Sequence, residues 1–170
     1  MMADFRIWSD DFPANGFMPK AQEMNDKSFG VSGDGENVSP ALQWDAPPAD
    51  TQSLALTVYD PDAPTGSGFW HWVVVNIPVD ARSLPRNAGK ADGSLLPAGA
   101  LQFRNDYGTV GFGGAAPTRG DKPHRFIFRV HALKVATLPL TADTTNAVAR
   151  YMTHLNEIDS ATYTGLYELK

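Results

Sequence analysis

Cysteine is absent from the 170 residues, which excludes disulfides and thiolate metal ligands and fits a reducing compartment. Positive charge is scarce: 14 Lys and Arg stand against 19 Asp and Glu, the net charge is −5, and the basic residues form no cluster. Neutralising a phosphate backbone needs such a cluster, so nucleic acid is not an expected partner. No apolar run approaches the ~18 residues of a membrane-spanning helix. The first eleven residues also lack the basic and then apolar order of a signal peptide. A cytoplasmic protein is expected, with no stable membrane insertion, and its acidic charge opposes anionic lipid surfaces. A Walker sequence and a Gly-x-Ser-x-Gly elbow are both missing, which leaves serine hydrolase chemistry unsupported.

What is present describes a folded β protein. Hydrophobic residues make up 42% and charged residues 19% of the chain, a balance typical of globular domains, and the length suits one domain over residues 1–170. The 15 Gly and 13 Pro imply many turns. Residues 4–31 mix short apolar clusters with turn formers, predicting a lead-in strand or two. In residues 37–44, Val38, Pro40, Leu42 and Trp44 alternate as a short strand that Pro47-Pro48 ends. Residues 52–59 alternate Leu54, Leu56 and Val58 against Ala55, Thr57 and Tyr59, a strand with one face in the core.

Residues 69–77, rich in Trp, Val and Ile, predict a central strand covered on both faces. Strict alternation there puts His71 with Phe69, Val73, Val75 and Ile77, and Trp70 with Trp72 and Val74. Residues 79–100 lose periodicity and form a long excursion. Residues 123–133 form another strand pattern, with His124, Phe126, Phe128, Val130 and Ala132 on one face. A capping candidate at residues 143–146 opens a helix to about His154, its buried stripe carried by Val148, Met152 and Leu155. Residues 162–169 close the chain as a strand.

Chemistry concentrates in the turn Asp60-Pro61-Asp62-Ala63-Pro64 and in the two histidines that head strands, His71 and His124. Asp and Pro favour such turns for purely local reasons. The functional reading is that a stiff turn holds two carboxylates where they set the tautomer and charge of nearby imidazoles. His131 and His154 read as structural. The glycine run of residues 108–120 has the composition of a nest of inward-pointing N–H groups that receives an anion. Its formal dinucleotide fingerprint fails, because Pro117 and Pro123 follow where a helix is required.

Asp60-Pro61-Asp62-Ala63-Pro64, then residues 69–78 (FWHWVVVNIP), then residues 111–126 ending in Pro123-His124-Arg125-Phe126, together resemble the phosphatidylethanolamine-binding protein family, also called Raf kinase inhibitor-like proteins, especially its bacterial branch. Ser39-Pro40, Leu96-Pro97-Ala98-Gly99-Ala100 and Asn105-Asp106-Tyr107-Gly108 extend the likeness. It implies a mainly β fold, an antiparallel Greek-key β-sandwich with a few short helices. It also implies a small pocket for phosphate, phosphoryl head groups or similar anions, formed by Asp60, Asp62, Pro64, Trp70, His71, Gly111 and His124. Phe126 stands where relatives commonly have tyrosine, which removes one hydroxyl donor.

The function expected is non-catalytic binding of a small anionic ligand, without cofactor or metal. One alternative is an interaction protein that modulates a kinase or protease. Another is a metal-dependent phosphoester hydrolase built on Asp60, Asp62, His71 and His124. A homodimer is expected from the same resemblance.

Overall fold

The computed structural model describes residues 4–170; the part of the signal-peptide and domain expectations that concerns residues 1–3 lies outside them. Two antiparallel sheets face each other. The smaller has the order β1 (Ile7–Trp8), β2 (Leu42–Trp44), β5 (Ser83–Leu84). The larger runs β6 (Leu101–Gln102), β4 (Phe69–Pro78), β3 (Ser53–Asp60), β7 (His124–Leu133), β8 (Glu157–Tyr167). The order β7-β3-β4-β6, in which a later strand returns by a long connection to lie beside the first, is that of a Greek key. Short 3-10 turns at Lys20–Gln22 and Lys27–Phe29 and a single α-helix, α1 (Asn146–Asn156), complete the mainly β architecture among the described residues.

Strand β3 is buried on both faces, not on one as its alternation suggests. Leu54, Leu56 and Val58 pack into the space between the sheets with Trp44, Trp72, Phe128 and Val130. Ala55 faces the other way, with Val73, Val75, Phe103, Leu138 and Ala149 of α1. Ala55, Val73 and Val75 are small enough for the helix to approach the sheet closely at Ala149.

Of the expected stripe only Met152 packs against this second cluster; the rest of the buried face is different. Thr145 caps it by accepting from the Val148 amide, and Asn146, Ala149 and Thr153 are its buried residues. Val148 and Leu155 are about half exposed (48% and 49%), because short side chains let the helix sit closer to the sheet than a leucine-and-valine stripe would. Strand β8 follows the helix directly and starts earlier than expected, since its polar Glu157 to Thr162 stretch pairs only with β7, and residues 15–18 bond to its other side only near Thr164 to Leu166. The strand expected over residues 37–44 shrinks to β2: Asn37 adopts a left-handed backbone conformation (φ 53°), and the amides of Asn37 and Val38 donate to Glu23 and Ala21 instead of a ladder. The excursion after β4 is a chain of tight turns around β5, closed in succession by bonds such as Ala88 N–H to Pro85 O and Gly93 N–H to Lys90 O.

Strand β4 departs from alternation at both ends. Opposite Val58 and Tyr59 on β3 stand Trp72 and Trp70, which leaves His71 as an extra residue; a second irregularity lies between the pairs Leu54–Ile77 and Leu56–Val74. At the second, Asn76 takes a positive φ of 58°. Bulges of this kind turn the side chains beyond them to the opposite face. Here His71 joins Trp72 on the face toward the smaller sheet, while Trp70 joins Val73 under the helix. The strict alternation expected for residues 69–77 is therefore broken at the residue with the most chemistry.

Candidate functional site

The end of β3, the start of β4 and the start of β7 meet at one end of the larger sheet, because β3 is antiparallel to both neighbours. Asp60, His71 and His124 are thus brought together from three segments. They line a cavity of about 260 Å³ with Pro64, Phe69, Asp106 and Tyr107. The turn between β3 and β4 is held by its own chemistry: Asp60 Oδ1 accepts from the Asp62 amide at 2.8 Å, an Asx turn.

The two imidazoles are held differently. His124 is buried, its Nδ1 2.7 Å from Asp60 Oδ2 and its Nε2 3.0 Å from Asp121 Oδ2. Burial disfavours its cation, but hydrogen bonds from the ring to Asp60 and Asp121 outweigh that, and its pKa is raised. His71 Nδ1 lies 2.7 Å from the carbonyl oxygen of Gly113, and the Gly113 amide donates back to the His71 carbonyl. A carbonyl only accepts, so Nδ1 carries the proton, and Nε2, with no protein partner among the described residues, is a bare lone pair. Burial pushes the His71 pKa down to about 4, against the smaller raising effects of Gly113 and Asp60. The rings of Phe69, Tyr107 and Phe126 surround it at centroid distances of 4.8, 5.8 and 5.0 Å.

This depressed pKa has a consequence for stability. An unfolded chain protonates the imidazole near 6.5, whereas the native protein resists until about 4. The native state is expected to lose roughly 3 kcal/mol through this residue as pH falls across that window. Denaturant unfolding of wild type and His71→Gln over the same range checks this: the variant should show the smaller decline.

Matching against protein families pairs residues 8–168 with the model described as phosphatidylethanolamine-binding protein. The chain belongs to this family. It is 52% identical over 141 residues to YbcL of Escherichia coli strain K12, covering 83% of this chain and 77% of that one. It is 46% identical to YbhB of the same organism over 162 residues, 95% of this chain and 99% of the other. The crystal structure of E. coli YbcL, described as a member of the mammalian family, superposes with a TM-score of 0.93 and 45% identity, covering 99% of this chain and all of that one.

Four of the eight residues singled out by family resemblance line the cavity: Asp60, Pro64, His71 and His124. The other four lie elsewhere. Asp62 turns to Arg125, accepting from its Nε and amide at 3.0 and 2.9 Å and, through Oδ1, from Nη2 at 3.0 Å. The guanidinium hydrogen bond lowers the Asp62 pKa. Trp70 faces the helix side of the sheet, stacked on Tyr59 at 4.1 Å and beneath the Arg150 guanidinium at 3.9 Å. Phe126 packs against His71, behind the cavity wall. Gly111 lies against the Gly89 carbonyl.

Over residues 111–115 the glycine run is not a nest. The amides of Gly111, Phe112, Gly113, Gly114 and Ala115 donate to Phe103, Gly89, His71, Asn37 and Gln22 respectively, so none of these five is free for an anion. Nor do the aspartates orient both imidazoles: His71 is oriented by a carbonyl. Among the described residues no three His, Asp or Glu side chains are grouped so as to hold a metal ion. Asp62 and His71 Nδ1 are committed to other partners, which removes the ligand set Asp60, Asp62, His71 and His124.

Asp106, Tyr107 and Asp121 belong to the site and were not among its predicted members. Asp106 accepts from the Trp70 amide at 2.8 Å and from Asn146 at 3.0 Å, tying the cavity to the helix start. Tyr107 donates its hydroxyl to Gly114 O at 2.7 Å. The first two lie in the Asn105-Asp106-Tyr107-Gly108 segment that carries the family likeness, which was the signal available for them. Among the described residues no helix is long and apolar enough to cross a membrane.

Proposed function

We propose that the protein is a non-catalytic binding protein whose cavity at the sheet end takes phosphate or a phosphoryl head group as a protonated monoanion. The observation that carries this reading is the pairing of a bare His71 Nε2 with a His124 Nε2–H covered only by the partly exposed Asp121. A monoanionic phosphoryl group supplies what each lacks: its P–OH donates to His71, and a charged oxygen takes the place of the Asp121 carboxylate on His124. A dianion has no proton for His71 and meets the Asp60 and Asp106 carboxylates, which repel it.

Calorimetric titration with inorganic phosphate and phosphoethanolamine tests the assignment. His71→Ala should weaken binding by about tenfold, the loss of one hydrogen bond to the ligand. Asp121→Asn should strengthen it several-fold, since the neutral side chain competes less well for His124. Wild-type affinity should also fall as pH rises from 6 to 8 and phosphomonoesters lose their second proton, near pH ~6. Equal affinity for wild type and His71→Ala would reject the site.

A further inference from the structure

The larger sheet has a second cavity, on the face opposite the histidine site. It measures about 520 Å³, between α1 and strands β3 and β7, within the ~300–1,000 Å³ common for small-molecule sites. One wall is aromatic: Trp70 stacked on Tyr59 at 4.1 Å, with Tyr151 of the helix nearby. Arg150 lies over Trp70 at 3.9 Å, its Nε donating to Asn146 Oδ1 at 3.1 Å. That bond fixes the guanidinium plane while leaving both Nη groups without an acceptor among the described residues. Arg129 also lines the cavity, and neither arginine forms a salt bridge among the described residues. In a chain of net charge −5, the two guanidiniums outnumber the one carboxylate, Glu157, among the residues that line this cavity.

The floor carries a third feature. Glu157 Oε1 sits on His131 Nδ1 at 2.5 Å, and His131 Nε2 is 2.8 Å from Thr57 Oγ1, all three side chains reaching the cavity lining. The carboxylate holds the imidazole proton on Nδ1, so Thr57 donates its hydrogen to Nε2 and has only lone pairs left for a ligand. Burial keeps this imidazole neutral by lowering its pKa. The relay resembles that of a hydrolase, but Thr57 lies in the middle of β3, paired on both sides with β4 and β7. Its neighbouring amides are consumed by the two ladders, which leaves no backbone donors for an oxyanion. The relay orients a hydroxyl and does not activate it.

We propose that this cavity is a second ligand site, for an aryl carboxylate: a monoanion held by Arg150 and Arg129, with its flat apolar body against Trp70 and Tyr59 and any polar hydrogen on that body donated to Thr57. Both arginines present forked donors suited to a carboxylate, and an inorganic anion alone would leave the aromatic wall wet. The test is a heteronuclear NMR titration of the full chain with 2-naphthoate, with 2-naphthamide and inorganic phosphate as comparison probes.

Saturable shifts at Thr57, Ile127, Ala147 and Arg150 are expected with the acid. Affinity should be about tenfold weaker for the amide and for Arg150→Gln, and unchanged in His71→Ala. Arg129→Gln, at an exposed position where folding is not at issue, should weaken binding as well. Acid and amide binding alike, wild-type affinity in both arginine variants, shifts centred on His71 and His124, or no binding at millimolar probe would each overturn the proposal.

Discussion

Replacing Asp60 by alanine is expected to destabilise the native protein by about 3–5 kcal/mol at pH 6 and to abolish phosphate binding. The carboxylate is buried with His124 and serves two donors, the imidazole Nδ1 and the Asp62 amide. Without it the His124 cation is left in a nearly dry site with only the partly exposed Asp121, and the turn after β3 loses its internal bond. The direction with pH follows from the sign of the His124 shift. Its native pKa is raised above the ordinary 6.5, so its stabilisation is fully present below 6.5 and is lost as pH rises through the native value. The difference between wild type and Asp60→Ala should therefore shrink between pH 6 and 9. Urea unfolding at both pH values checks this, and a pH-independent difference would show that the ion pair is not its source.

Gly111→Ala should cost about 4 kcal/mol or more, at the extreme of single substitutions. Two effects add. The residue has φ of 93°, where an L side chain carries roughly 1–3 kcal/mol of strain, and a Cβ would stand 2.2 Å from the Gly89 carbonyl oxygen. That oxygen is backbone and accepts from the Phe112 amide, so it cannot move without breaking the contact between the two loops. The loss should appear in thermal unfolding, while the protein that remains folded binds phosphate within about twofold of wild type, because Gly111 is not in the cavity wall. Near-normal stability would mean that the loop around Gly89 yields freely. Normal stability with lost phosphate binding would return Gly111 to the site.

The contrast between these two residues shows how far the sequence could be read. Asp60, His71 and His124 were recognisable because a Pro-stiffened acidic turn and two strand-heading histidines are unusual in a chain with so little other chemistry. Gly111 was recognisable as special, but composition does not say whether a glycine run offers its amides to a ligand or to its own loops; here five consecutive amides bond within the protein. Asp62 could not be distinguished from Asp60 in the sequence. Asp60 ends β3 facing the space between the sheets, while Asp62, two residues on, meets Arg125 at the start of β7.

The helix shows the same limit. Its cap was legible to within a residue or two, yet of the apolar stripe Val148, Met152 and Leu155 only Met152 packs against the core, the other two being about half exposed. Burial followed the space available over Ala55 and Val73, not hydrophobicity alone. The Thr57–His131–Glu157 relay joins residues 74 and 26 positions apart, and no local pattern marks it.

By itself the sequence determined a mainly β chain of this family and the three segments that would supply a site, because apolar alternation, turn formers and rare titratable residues act over short stretches. Which of those residues meet, and on which face, was decided only by the tertiary structure. One extra residue in β4 opposite the β3 ladder turns His71 toward His124 and Trp70 toward the helix. That choice depends on pairing between strands and is invisible to any pattern read along one of them.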